Sequence, residues 1–181
     1  MHLLVMDQVD RILQQWRRER PDLDVGPMGL MGRLKRLADH LSEELGRTYQ
    51  RHGLTAAGFD VLATLRRAGA PYALSPSALI GWTMVASGTM TNRLDRLEAA
   101  GLIERRPNPE DGRGSVAALT SKGHALIDRV VSEHVANQHR LLQPLPPALR
   151  TQLDESLRTW LSLFEDTGDR TDQAAARKNQ R

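Results

Sequence analysis

The residues from Ser87 to Gly123 constrain the fold more tightly than any other stretch of the chain. Ser87 is placed to cap a helix that runs through Ala100, and Gly101 ends it. Leu102–Arg106 reads as a strand, and PNPEDGRG at 107–114 is dense in turn formers. Ser115–Leu119 reads as the returning strand. Thr120 or Ser121 then caps a helix that extends to about Leu142. A helix, a turn, a second helix and a hairpin with a polar tip follow the order of a winged helix-turn-helix. The predicted class is mainly α with a small β wing, flanked by helices from both termini.

The rest of the chain fits helices around that unit. Met6 to about Arg20 predicts a charged helix that ends before Pro21, and residues 21–27 form a linker. From Met28, apolar residues recur at Met31, Leu34, Leu37, Leu41, Leu45 and Tyr49, the spacing of one face of a long helix. Gly53 closes it. Thr55 caps the next helix, which stops at Gly69, and Ser75-Pro76 opens a short one. PLPP at 144–147 separates the helix after the wing from a last one over about Ala148–Glu165. The predicted organisation is an extra N-terminal helix and linker (1–27), a scaffold helix (28–54) and a winged helix-turn-helix lobe (55–120). C-terminal helices (121–166) and a polar tail without fixed structure (167–181) complete it.

Composition removes several alternatives. The chain has 181 residues, a size typical of one domain, and 40% of them are apolar, enough for a core. It has no cysteine, which excludes disulfides, thiol catalysis and thiolate metal sites and fits a reducing cytoplasm. The net charge is only +3, so a nucleic-acid partner is permitted rather than implied. Nearly all the cations are arginine, the side chain suited to bidentate recognition of phosphates, carboxylates and base edges. Residues 70–92 carry no charge and are long enough to span a bilayer. Pro71, Pro76, Gly81, Gly88 and the interspersed hydroxyls argue against that. No targeting signal is recognisable at the N-terminus. GxxxxGK, GxSxG and HExxH are all missing, so no enzyme is expected, and no cofactor. His134 and His139 lie five apart, off the spacing that would favour a metal.

The helix Ser87–Ala100 separates into faces. Met90, Leu94 and Leu97 form a narrow apolar stripe, and Thr89, Asn92 and Arg96 fall opposite. Those are side chains that reach base edges and phosphates in a major groove. Asp95 and Glu98 occupy a third face, which should point away from DNA. Arg113, beside Asp111 in a glycine-flanked turn, is placed to enter a minor groove. A solvated helix and an ordinary surface turn with a local ion pair are the plainer alternatives.

The segment SGTMTNRLDRLEAAGLIERRPNPEDGRG with ALTSKG (87–123) resembles the MarR family of bacterial transcription regulators, and the helix order extends the likeness over about 28–165. The resemblance implies a cytoplasmic homodimer, with a helical dimerisation region drawn from both termini (28–54 and 121–166), whose lobe at 55–120 binds a pseudo-palindromic double-stranded operator, usually as a repressor. It implies DNA contacts from Ser87, Thr89, Thr91, Asn92, Arg96, Arg106, Asp111 and Arg113. Gly112 stands where a second arginine is common, and Ala78 and Gly81 where Glu and Arg are frequent, which removes outer contacts. Trp82 is expected to pack under the lobe. Apolar residues at Leu126, Val130, Val131, Val135, Leu141 and Leu142 support dimerisation independently. So do Leu149, Leu153, Leu157, Trp160, Leu161 and Phe164, because together they exceed what a small wing domain can cover.

A narrower likeness concerns the extra helix with Trp16, Asp60 in GFDVLATLRRAG and Arg93 in TMTNRLDRL. It resembles the urate-responsive branch of the family. That likeness implies a pocket for a small anion around Trp16, Asp60, Arg93 and Arg105. Arg93 lies at the border of the apolar stripe and can turn inward to Asp60, so an anionic ligand would compete for it. In the plainer alternatives Asp60 pairs with Arg67 on the surface, Arg93 meets phosphate and Trp16 only packs. A ligand-independent DNA-binding or protein-interaction dimer is the alternative function.

Overall fold

The structure is a computed structural model, which describes residues 6–83, 90–108 and 114–178. Its elements run α1 (Gln8–Glu19), α2 (Gly26–Gln50), α3 (Ala56–Arg67), β1 (Ala73–Leu74), α4 (Pro76–Trp82) and α5 (Met90–Ala99). They continue with β2 (Ile103–Pro107), β3 (Ser115–Leu119), α6 (Ser121–Leu142) and α7 (Pro147–Lys178). Residues 1–135 form one compact unit and 136–181 a second.

Local chemistry sets the helix ends in the first unit. The Asp7 carboxylate accepts from the Asp10 backbone N–H at 2.8 Å, and Asp10 returns the bond to Asp7 at 3.0 Å, which starts α1. Thr55 Oγ1 accepts from Gly58 N–H at 3.0 Å to start α3. Ser75 Oγ does the same for Ala78 at 3.2 Å to start α4, with Pro76 pre-set in the first turn. α5 is followed by Gly101 at φ +69°, a left-handed conformation that a side chain would strain.

One core joins these elements. Leu62 and Leu65 of α3, Leu79 of α4, Leu94 and Leu97 of α5, and Ile127 and Val130 of α6 are all buried in it. The sheet closes it. Its strand order is β1-β3-β2, antiparallel throughout, with Ile103 opposite Leu119, Arg105 opposite Ala117 and Arg106 opposite Val116. β1 pairs Ala73 with Ala118 and makes a third strand that the sequence reading lacked, because two residues are too short to show alternation. A second, smaller cluster of Val9, Leu13 and Val25 seats α1 on α2. Arg33 reinforces it, with Nε at 2.7 Å from Asp7 and Nη2 at 2.6 Å from Asp10.

The start of α6 is tied to the end of α5. Thr120 Oγ1 accepts from Gly123 N–H at 3.0 Å and donates to the Gly101 carbonyl at 2.8 Å. Lys122 Nζ donates to the Ala100 carbonyl at 2.8 Å. Gly123 is needed there for close approach, since a Cβ would lie 1.9 Å from the Leu102 carbonyl oxygen.

One expectation changes. Trp82 is 51% exposed rather than packed under the lobe, and its carbonyl accepts from Arg67 Nη2. Leu79 is the buried residue of this short helix, and Trp82 is its last residue, at the end that leads out of α4. In the second unit α7 runs from Pro147 to Lys178.

Large apolar side chains stay exposed in each unit: Met31, Leu37 and Leu41 in the first, and Leu153, Leu157 and Leu161 in the second. Among the described residues no helix is long and apolar enough to cross a membrane.

Candidate nucleic-acid interface and ligand cleft

The faces of α5 fall where the sequence places them. Met90, Leu94 and Leu97 are buried, Thr91, Asn92 and Arg96 are exposed, and Arg93 is half-buried between the two sets. Three exposed polar side chains on a helix held rigidly by its other side are what major-groove contact requires. Arg106 is exposed on β2 and pairs with Glu104 of the same strand. Ser87, Thr89, Asp111 and Arg113 lie outside the described residues.

A cleft of about 430 Å³ opens where α5 meets the start of α3. Gly53, Thr55, Ala57 and Gly58 form one wall, and Asn92, Arg93, Arg96 and Leu97 form the other. The first turn of α3 presents backbone N–H groups and the positive end of the helix dipole. Arg93 and Arg96 line the wall opposite, so the cleft has a cationic side. Among the described residues no group of His, Asp and Glu is arranged to hold a metal.

The four residues grouped around a ligand by the resemblance are placed differently from one another. Arg93 lines the cleft, whereas Trp16, Asp60 and Arg105 are not among its lining residues. Trp16 is 41% exposed on α1, the helix that packs on α2. Asp60 is buried within α3 at 7% exposure, which removes the reading of a surface pair with Arg67. Its carboxylate lies close enough to Tyr49 that burial and the Asp60 charge together push the phenol up to about 12.

Tyr49 belongs to an aromatic group that the sequence reading saw only as core. Its ring stacks on Phe59 with centroids 4.2 Å apart, and its hydroxyl shares a hydrogen bond of 3.0 Å with His134 Nδ1. Burial holds the His134 imidazole below its ordinary value. The spacing of Tyr49 and Phe59 gave no hint of this group, because His134 reaches it from α6, far along the chain.

Arg105 points elsewhere. Its Nη2 is 2.5 Å from Asp95 Oδ1 and its Nη1 is 2.5 Å from Glu98 Oε2, so the wing strand grips the acidic face of α5. The sequence holds a signal for this, two acids at i and i+3 on one helix and an arginine on the strand that follows. Periodicity alone does not pair them.

Known proteins resemble this chain in sequence and in fold. A family model described as the MarR family matches residues 52–114. The transcriptional regulator PecS of Dickeya dadantii is 47% identical over 146 residues, which are 81% of this chain and 88% of PecS. The structure of Bordetella bronchiseptica BpsR, solved to explain how 6-hydroxynicotinic acid regulates its DNA binding, superposes with a TM-score of 0.61 at 28% identity. That match covers 75% of this chain and 91% of BpsR. AbsC, a MarR family transcriptional regulator from Streptomyces coelicolor, gives a TM-score of 0.69 at 25% identity, covering 79% of this chain and 97% of AbsC.

Proposed function

The chain belongs to the MarR family of winged-helix, DNA-binding transcription regulators, and on that premise we propose that it is a homodimeric cytoplasmic repressor released from its operator by a small planar anion. The observation that carries this reading is the cleft in which Arg93, half-buried, stands beside Asn92 and Arg96 on the helix that reads DNA. A carboxylate or urate-like anion in that cleft engages guanidinium groups that the DNA-bound state also needs. Such a ligand binds the free and DNA-bound states differently, which is the condition for a switch. Planar ligands are favoured by the regulation of BpsR by 6-hydroxynicotinic acid. The likeness to the urate-responsive branch makes urate the first candidate within this class.

Asp60 has the role of the buried counter-charge. It lies in α3 below the first turn that walls the cleft, and α3 and α5 are packed together. A ligand that draws Arg93 outward changes the balance around a buried carboxylate, and one-sided loss of such a partner is costly. The exposed leucines of α7 and the exposed apolar stripe of α2 support the homodimer. A two-fold dimer would place two copies of α5 about one DNA turn apart, matching a pseudo-palindrome.

The test is an operator-release assay on DNA from upstream of the protein's own coding region. Urate, xanthine, 6-hydroxynicotinate and small polycarboxylates are titrated against the bound complex. One of them is expected to release the DNA, and Asp60→Asn should weaken that release more than it weakens DNA binding. Tight binding that none of these compounds reverses would refute the switch and leave a ligand-independent DNA-binding dimer.

A further inference from the structure

β2 turns Arg105 toward α5. In register, Arg105 lies opposite Ala117, on the sheet face that carries Ile103 and Leu119 into the core. Its neighbour Arg106 falls on the other face. From there the Arg105 guanidinium meets Asp95 and Glu98 at 2.5 Å each, and its backbone N–H donates to Glu98 Oε1 at 3.2 Å. Asp95 and Glu98 are three apart on α5, so one planar fork can hold both. This three-charge network joins the strand that leads into the wing to the helix that enters the groove.

We propose that Arg105 is a positioning residue for DNA binding: with Asp95 and Glu98 it sets the angle between the wing and α5. The network also explains why a DNA-reading helix carries two carboxylates, because their charge is spent on the wing strand. The proposal rests on the DNA-binding reading of α5 and removes Arg105 from the ligand set that the resemblance suggested.

The test uses the full chain, measuring operator affinity by fluorescence anisotropy over a range of salt. Arg105→Gln and the double variant Asp95→Asn/Glu98→Gln should each weaken binding about tenfold, the scale of a coupled contact network. Arg105→Lys, which keeps the charge but not the fork, should recover only part of the loss. The double variant is decisive because its sign is contrary to plain electrostatics. Removing two negative charges near DNA would otherwise strengthen binding. The salt slope and the melting temperature should stay at wild-type values, since the network touches no phosphate and lies near the surface. Unchanged or tighter binding by the double variant would overturn the proposal. So would a slope reduced by about one in Arg105→Gln, the mark of a lost phosphate contact. A third overturning result is unchanged DNA affinity with weakened urate binding, which would return Arg105 to the ligand set. If the wild-type protein shows no salt-dependent DNA binding, the regulator reading itself fails, a result separable from any variant effect.

Discussion

Gly123→Ala should destabilise the protein even though alanine is the better helix former. Gly123 lies in the first turn of α6, where the exchange gains at most about 1 kcal/mol in helix propensity. Against that, the new Cβ would stand 1.9 Å from the Leu102 carbonyl oxygen and 2.8 Å from its carbon. Ordinary contact begins near 3.4 Å, so the two elements must separate by 3.4 − 1.9 = 1.5 Å. The obstacle is backbone, not the end of a flexible side chain. Separation also strains three bonds that cross the same junction: Thr120 N–H to Leu102 O, Thr120 Oγ1 to Gly101 O, and Lys122 Nζ to Ala100 O. Each is worth about 1 kcal/mol, and overpacking adds roughly 1–3 kcal/mol. The net loss is then about 3–5 kcal/mol, a fall in melting temperature of roughly 6–20 °C for a chain of this length. Thermal denaturation followed by circular dichroism, at one protein concentration, reads it directly. Gly46→Ala is the control. It sits inside α2 with nothing within 4 Å of its added Cβ, so it should stabilise by about 1 kcal/mol. A Gly123→Ala melting temperature equal to or above wild type would refute the steric argument.

Two further predictions concern DNA and pH. Arg96→Ala and Arg113→Ala should each weaken operator binding by about 10- to 100-fold and lower the salt slope by about one, with the dimer intact by analytical ultracentrifugation; no change in either variant would sink the docking geometry. His134 has a folded-state value lowered from 6.5 by burial, so between the lowered value and 6.5 the unfolded chain binds more protons than the folded one. Its contribution to stability is complete above pH 6.5 and is lost as pH falls through that window. The drop in melting temperature between about pH 7.5 and 5.5 should therefore be smaller in His134→Gln than in wild type, and equal drops would exclude this source.

The helices were legible because their signals are local. Thr55 and Ser75 cap where their side chains reach the third residue on, and Gly53, Gly69 and Gly101 follow helix ends in the left-handed conformation that glycine favours. The apolar stripe of α5 was likewise readable from Met90, Leu94 and Leu97. What the sequence could not disclose depends on distance. β1 exists only because Ala118 is there to pair with Ala73. The plainer reading of Asp60 as a surface partner of Arg67 fails because the carboxylate is buried in α3, close enough to Tyr49 to act on its phenol. Arg105 and the acids of α5 each suggested separate roles, and their joint role appears once the strand is in register.

These contacts give α5 different constraints on each side. Leu94 and Leu97 fix it inward, Arg105 holds its acidic face, and Lys122 and Thr120 tie down the residues that follow it. The face with Asn92, Arg93 and Arg96 borders the open cleft. On the proposed reading, a ligand entering there would meet α5 on its cationic side, where engaging a guanidinium would withdraw it from DNA. Release would then act through the cleft face of α5 and not through the face that Arg105 holds. It should leave the Arg105 network closed, so Arg105→Gln would lower operator affinity in the presence and absence of ligand by the same factor.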